Sequence, residues 1–260
     1  QRIKMDEKGQ SRISRRYDYL DALRGLALIS MILYHGVWDL VYIGNVDWKW
    51  FRSDAAFIWQ QSICWTFVLL SGFCWMFGRR RLKRGLIVLG AGLLTSLVTW
   101  IFTYNERVTF GILTFLGTAM LVMIPLEKVL GKIPAKAGCV LSFALFLITR
   151  GINDEYLGFG PAEIIRLPHR WYQKGLFMTF FGFTDEAFYS ADYFSVFPWI
   201  FLFVTGYFLY RIARDRNLLD KIADVVPRLP FSALGRHSLL IYLLHQPVIY
   251  GVFQLIQMLL

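Results

Sequence analysis

Long apolar runs recur along the chain, separated by turns that contain Arg, Lys, Pro or Gly. Each run holds roughly 20 residues, the length at which an α-helix crosses a bilayer core about 30 Å thick. The pattern therefore predicts an all-α protein, a polytopic transmembrane helix bundle with about seven spanning helices. Their expected ranges are 20–43, 56–78, 83–103, 109–129, 135–150, 194–212 and 238–260.

One long polar stretch, from Gly151 to Tyr193, interrupts this pattern. We expect residues 1–19 to form a polar leader and residues 20–260 to form a single transmembrane domain, with 151–193 as a loop outside the membrane. Within that loop, the segment 171–183 is apolar and aromatic but too short to span a bilayer. It is expected to lie along the interface or to re-enter the membrane partway.

Composition supports a membrane protein and argues against other classes. Hydrophobic residues make up 56% of the chain, more than an ordinary soluble domain contains. The net charge of +10 does not indicate a nucleic-acid partner, because the basic residues cluster at the ends of apolar runs. Cys64, Cys74 and Cys139 lie in apolar segments without paired spacing, so neither a disulfide framework nor a thiolate metal site is indicated.

The Lys and Arg residues lie mostly on one side of the predicted bundle. With seven alternating spans, 20 of the 28 fall on the side of the N-terminus and seven on the opposite side. The positive-inside rule then predicts a cytoplasmic N-terminus and an external C-terminus. We expect a multi-pass protein embedded in the lipid bilayer of a bacterial inner membrane.

The first predicted helix carries a narrow polar stripe within an apolar segment, DALRGLALISMILYHGVWD, from Asp21 to Asp39. Eleven positions separate Arg24 from His35. That spacing is about three turns with only ~20° of drift, so both side chains face the same way. Asp21 and Asp39 fall on the same stripe. Polar groups inside a membrane must face protein or water, so the stripe is expected to face the interior of the bundle.

His35 is a candidate general base. It lies about 22 Å along the helix, in the external half of the membrane core, whereas Arg24 lies near the cytoplasmic mouth. Asp39 is one turn beyond His35, where its carboxylate can accept an imidazole N–H and raise the basicity of the ring. A histidine that only bonds to a neighbouring helix is the alternative. No metal site is expected, because no second His or Cys stands at ligand spacing on this helix.

Two further helices contribute candidate residues. Gln61 and Trp65 share a face near the external end of the second helix, where they can hold a polar acceptor or simply cap the helix. Tyr242 and His245 share a face of the last helix. Pro247 is expected to kink that helix or to free a carbonyl beside His245.

The expected depth of His245 in the membrane differs from that of His35. Counted from the cytoplasmic side, His245 is expected about 10 Å into the membrane, below the depth of His35. The two rings are therefore not required to touch. Arg236, at the cytoplasmic start of the same helix, is a candidate for binding phosphate or a topology signal.

Several segments resemble known membrane acyltransferases. RYDYLDALRGLALISMILYH, Arg16 to His35, resembles the opening of a large bacterial family that acylates surface sugars, including the ten residues between its arginine and histidine. SGF at 71–73, FGILTFLG at 110–117, FPWIFLFVTGY at 197–207 and GRHSLLIYLLHQPV at 235–248 follow in order. Together they make the chain similar to the heparan-alpha-glucosaminide N-acetyltransferase catalytic-domain family. Thr114 departs from the pattern, because a histidine is expected there in many bacterial relatives.

The resemblance implies an enzyme that moves an acyl group, typically acetyl, from cytoplasmic acetyl-CoA to an amino or hydroxyl group of an external sugar or glycan. His35 would deprotonate the acceptor or carry the acetyl group transiently, and Asp39 would orient it. The residues expected to bind CoA or the thioester are Asp21, Arg24, Arg236, Tyr242 and His245. Those expected to contact the acceptor are Trp38, Gln61 and Trp65. Gln61, Tyr242 and His245 are candidate donors to the thioester oxygen.

Other functions and finer questions stay open. A proton-coupled small-molecule transporter also needs intramembrane His, Asp and Arg that face water, although the chain shows no internal repeat typical of transporters. A non-catalytic scaffold would leave the spacing of Arg24 and His35 unexplained. N- or O-acylation, direct transfer or an acetyl-histidine intermediate, and a monomer or a homodimer are all compatible with the sequence.

Overall fold

The computed structural model describes residues 3–5, 11–13, 17–160, 162–225 and 230–259. Within these ranges, seven helices are long and apolar enough to cross a membrane. The seven are α1 (Asp18–Tyr42), α2 (Asp54–Trp75), α3 (Arg81–Phe102), α4 (Ile112–Leu130), α5 (Ala135–Ile148), α7 (Val196–Asp215) and α10 (Ser238–Leu259). The shorter helices are α6 (Gly175–Phe181), α8 (Leu218–Val225) and α9 (Ser232–Arg236). The predicted all-α bundle of seven spans is confirmed.

The fifth span is the one whose helix is shortest. Helix α5 has 14 residues, which cover only about 21 Å of a core roughly 30 Å thick. A 3₁₀ turn at Arg150–Asp154 follows α5 and lengthens the span to Ala135–Asp154. The predicted fifth span is therefore present, and it consists of an α-helix followed by a 3₁₀ helix.

Glycines set the closest helix contacts. In the α3–α4 pair, a Cβ at Gly92 would lie 2.4 Å from the backbone N of Thr114, and one at Gly117 would lie 2.4 Å from that of Leu89. These contacts run in opposite directions along the two helices, so the pair is antiparallel. Helices α5 and α7 are also antiparallel. Their contacts include the pairs Gly138 with Phe208 and Ser142 with Thr205.

Helices α9 and α10 follow α1 in the same direction. A Cβ at Gly235 would lie 1.8 Å from the carbonyl oxygen of Asp21, at the start of α1. Near the other end, a Cβ at Gly44 would lie 3.1 Å from the ring of Phe253. The first and last spans are therefore parallel neighbours, as an odd number of spans requires.

The loop between α5 and α7 has some structure of its own. Strands β3 (Tyr156–Phe159) and β4 (Ala162–Arg166) form an antiparallel hairpin, and α6 follows it. The segment 171–183 contains only the seven residues of α6 in α-helix, and its Phe177 is 73% exposed. This segment is too short to span the membrane. A second hairpin, β1 (Ile3–Met5) with β2 (Ser11–Ile13), lies in the leader. Neither hairpin was predicted.

Candidate active site

A cavity of about 1330 Å³ lies at the basic end of the bundle, defined here as the end where α1 begins and where Arg79–Arg84 lies. Its inner wall is apolar and comes from α2, α3, α4 and α10, with Phe67, Val88, Leu116 and Leu243 among its residues. Its mouth is basic. The mouth residues are Arg24, Arg79, Arg80, Lys83, Arg84, Arg236 and His237.

Two of the mouth arginines are held by acids at the start of α1. Arg24 donates to Asp21 across 3.3 Å. Arg236 donates to Asp18 across 2.8 Å, and its Nε lies 3.9 Å from Asp21. Three predicted residues, Asp21, Arg24 and Arg236, thus meet at one cavity although they come from opposite ends of the chain.

Arg84 has a different environment. It lines the cavity close enough to Arg24 for the two positive charges to repel each other. Among the described residues Arg84 has no ion-pair or hydrogen-bond partner. An arginine in this position is available to an anion that enters the mouth.

Tyr242 marks the inner end of the cavity. Its hydroxyl donates to Asp192 Oδ2 across 3.4 Å, and the same oxygen accepts the backbone N–H of Ile112 at 3.0 Å. Asp192 precedes α7 in the loop at the opposite end of the bundle. Burial raises the pKa of its carboxyl above the usual value, and the two hydrogen bonds partly oppose that shift. Because the only proton of Tyr242 is directed to Asp192, its predicted role as donor to a thioester oxygen requires the hydroxyl to leave Asp192.

Asp192 was not predicted as a site residue. Sequence alone placed it among several charged residues of the external loop. It also lines a second, much smaller cavity of about 10 Å³ together with Tyr242 and Thr114. The hydroxyl of Thr114 is buried and has no hydrogen-bond partner among the described residues. No local pattern could have indicated this cluster, because it forms only where the loop folds over the start of α4.

The rings of His35 and His245 lie 4.9 Å apart. His245 is also 5.2 Å from the ring of Tyr242, so the three side chains form a contiguous series from the inner end of the cavity to α1. The prediction that the two histidines lie at different depths was wrong. The predicted depth of His245 was counted from Ser238, which was assumed to lie at the membrane surface. In the structure, α9 packs on the first turns of α1, so α10 begins further along α1 than was assumed.

Asp39 bonds to a different partner from the one predicted. Its Oδ1 accepts a hydrogen bond from Gln246 Nε2 at 3.0 Å, and the residue is only 1% exposed. Within the described part of the chain, the expected hydrogen bond from His35 to Asp39 is not formed. An aspartate one turn beyond His35 can bond either to His35 or to a residue of the neighbouring helix. Here the side-chain amide of Gln246 on α10 takes that position.

His245 is held in one tautomer. Its Nδ1 contacts the carbonyl oxygen of Tyr242, and a carbonyl can only accept, so Nδ1 carries the proton. Nε2 is buried, has no hydrogen-bond partner in the part of the chain that the structure describes, and bears a lone pair when the ring is neutral. In this state His245 has no free N–H for a thioester oxygen, which is incompatible with the predicted donor role.

The predicted acceptor residues contact other side chains. Trp65 donates to Gln61 across 3.2 Å, and its ring packs 4.9 Å from that of Phe146. The ring of Trp38 packs 5.0 Å from that of Tyr42. None of the three lines the cavity. The described residues also contain no group of three or more His, Cys, Asp or Glu side chains that could hold a metal ion.

A profile of the family described as heparan-alpha-glucosaminide N-acetyltransferase, catalytic, matches residues 16–247. The matched range contains every residue that lines the large cavity, together with the two histidines. No curated protein and no solved structure matches the chain.

Proposed function

The chain belongs to the heparan-alpha-glucosaminide N-acetyltransferase catalytic family of membrane acetyltransferases, and we propose that it moves an acetyl group across the membrane from acetyl-CoA. The donor binds from the cytoplasmic side, and the acceptor is an amino or hydroxyl group of a sugar or glycan on the other side. Residues 20–260 act as one acyltransferase domain in a bacterial cytoplasmic membrane.

The shape and charge of the large cavity are the observation that carries this proposal. A CoA thioester combines a polyanionic nucleotide with a slender, largely apolar arm. The basic mouth fits the phosphates, and the apolar wall fits the arm. Arg24 and Arg236 are already held by Asp21 and Asp18, so little side-chain freedom is lost when they bind an anion.

The inner end of the cavity fits the chemical step. Tyr242 lies where the thioester would arrive, and the histidine pair begins one turn further along α10. His35 takes a proton from the acceptor, or accepts the acetyl group on a ring nitrogen and passes it on. In either route the C–S bond breaks, the acetyl carbon bonds to the acceptor, and the thiolate leaves as CoA.

The test uses purified protein, labelled acetyl-CoA and a panel of amino sugars and glycans. We expect acetyl transfer by the wild type. We expect a fall in kcat of about 10²- to 10⁴-fold in His35→Ala, with acetyl-CoA binding retained. His169→Ala, in the external loop, is the control. A wild-type protein that neither binds acetyl-CoA nor acetylates any acceptor would rule the proposal out. Substrate movement into sealed vesicles without acetylation would favour a transporter.

A further inference from the structure

Unpartnered polar atoms concentrate at the contact between α1 and α10. In the part of the chain that the structure describes, four buried side-chain N and O atoms have no hydrogen-bond partner. Three of them belong to Asp39, His245 and Gln246. Gln246 donates to Asp39, and the ring of His245 lies 4.9 Å from that of His35, one turn before Asp39 on α1, so the three residues belong to one helix contact. Buried polar atoms are normally satisfied, and such a concentration indicates a site that a ligand completes.

All three atoms are hydrogen-bond acceptors. Asp39 Oδ2 belongs to a carboxylate. Gln246 Oε1 is an amide oxygen, because its Nε2 donates to Asp39. His245 Nε2 bears a lone pair, because its Nδ1–H donates to the Tyr242 carbonyl. These three unpartnered atoms are all acceptors, so they suit a group that brings N–H or O–H bonds.

We propose that His245 is the general base that removes the proton from the acceptor, and that Asp39 and Gln246 position the acceptor group. This rests on the proposed acetyl transfer and refines it: of the two roles proposed for His35, it keeps that of acyl carrier and assigns the proton transfer to His245. His245 lies between the inner end of the cavity, 5.2 Å from the Tyr242 ring, and the His35 ring at 4.9 Å. Neither histidine lines the cavity, but His245 is in contact with Tyr242, which does.

The step balances without a further reactant. The acceptor N–H or O–H bond breaks and its proton moves to His245 Nε2. The freed electron pair forms the bond to the acetyl carbon, and the C–S bond breaks with its electrons on sulfur. The imidazolium then returns the proton to the thiolate, so CoA leaves as a thiol. When His35 carries the acetyl group, the same proton transfer releases it to the acceptor.

The first experiment measures the tautomer and does not depend on activity. The chain contains four histidines, so ¹⁵N-histidine labelling gives a small set of imidazole signals. His245→Asn identifies the His245 signal, and His169 serves as an exposed reference. We expect His245 to show a protonated Nδ1 and an unprotonated Nε2 at neutral pH. A protonated Nε2 would overturn the assignment whether or not acetyl transfer has been observed.

The second experiment replaces the missing base of a His245 variant with an imidazole added in solution. We expect His245→Ala to lower kcat by at least about 10²-fold with a smaller change in the KM for acetyl-CoA. Added imidazoles should restore part of the rate, and more so as their basicity rises. His245→Asn keeps an N–H near the Tyr242 carbonyl but lacks a base, so it should fold and remain slow. A purely structural histidine would not give a rescue that follows imidazole basicity.

The pH dependence of the acetyl-transfer rate is a third measurement. The titratable groups in contact with His245 are His35 and Tyr242. Asp192 is bonded to Tyr242, and Asp39 is bonded to Gln246 beside His245. The imidazole-rescued His245→Ala should follow the pKa of the added imidazole on the acid side. Full activity in His245→Asn, or loss in His245→Ala that no imidazole restores, would overturn the proposal. Failure of the wild type to acetylate would instead reject the proposed function, leaving the tautomer measurement to test His245.

Discussion

Arg81 and Arg84 occupy the same turn of α3 but have opposite surroundings. Arg81 is paired with Glu127 at 2.5 Å and lies 4.1 Å above the ring of Trp75, so its charge is used within the protein. Arg84 faces the cavity and has no such partner in the described residues. Removing the two side chains should therefore have different consequences, one for stability and one for ligand binding.

Arg84→Gln should weaken acetyl-CoA binding by roughly 10- to 150-fold, the range expected for one charge-assisted hydrogen bond. Its kcat should change little, and its unfolding temperature should stay close to that of the wild type. Direct binding measured at two salt concentrations checks this, because the lost contact is electrostatic. Lys132→Gln removes a charge from the same end of the bundle without touching the cavity. Equal weakening in both variants would contradict a specific role for Arg84.

Asp192→Asn should remove a pH dependence of stability. Burial raises the pKa of this carboxyl in the folded protein, so the folded state binds the proton more tightly than the unfolded state does. Stability should therefore decline as pH rises from the unfolded value, about 3.9, through the raised folded value, and then level off. Asparagine can still accept from Ile112 and Tyr242. The unfolding temperature of Asp192→Asn should change less with pH than that of the wild type. An equal dependence on pH would contradict this prediction.

At the scale of elements, glycines determine how closely the helices approach. Along α3, a Cβ at Gly92 would lie 2.4 Å from the backbone of Thr114, whereas one at Gly90 would meet nothing within 4 Å. The α3–α4 pair supplies part of the cavity wall, including Val88 and Leu116. A forced separation of these helices would therefore change the cavity as well as the packing.

Gly92→Ala should destabilise the protein by about 1–3 kcal/mol, because the added methyl group overpacks a backbone contact. Gly90→Ala is the matched control on the same helix. It should be neutral or stabilising by up to about 1 kcal/mol, because alanine favours the helix. Unfolding in detergent micelles measures both. A loss of similar size in the two variants would show that helix propensity, and not close packing, determines the result.

At the scale of the whole molecule, the parallel packing of α1 and α10 determines which ends of the two helices meet at the candidate site. Two neighbouring spans that run in the same direction must begin on the same side of the membrane. The basic mouth of the cavity lies where α1 begins, and Asp192 lies at the opposite end. A donor and an acceptor that enter from opposite sides would therefore approach Tyr242 and the histidine pair from the two ends.

Cysteine labelling tests the orientation. In a variant without Cys64, Cys74 and Cys139, Gln173→Cys should react with an impermeant maleimide added to intact cells. Lys132→Cys should react only after the membrane is opened, because the positive-inside rule assigns the basic end to the cytoplasm. The reversed pattern would invert the proposed direction of transfer while leaving the fold unchanged.

The sequence by itself determined the spans, their number and the membrane class. Apolar runs of this length have one stable solution in a bilayer, which is a helix with all its backbone hydrogen bonds made internally. The spacing of the first-helix motif also made Arg24 and His35 candidate site residues, and their roles in catalysis stay predictions. The spans themselves depend on residues that are neighbours in the chain, so the local pattern was sufficient for them.

Only the tertiary structure decided which polar groups meet. The contacts of His35 with His245, of Asp39 with Gln246 and of Tyr242 with Asp192 each join segments more than 40 positions apart. They depend on how far α9 shifts α10 along α1 and on how the loop between α5 and α7 folds over α4. Helical periodicity gives the face of a residue but not the offset between two helices, and that offset is set by packing at Gly25, Gly44 and Gly235.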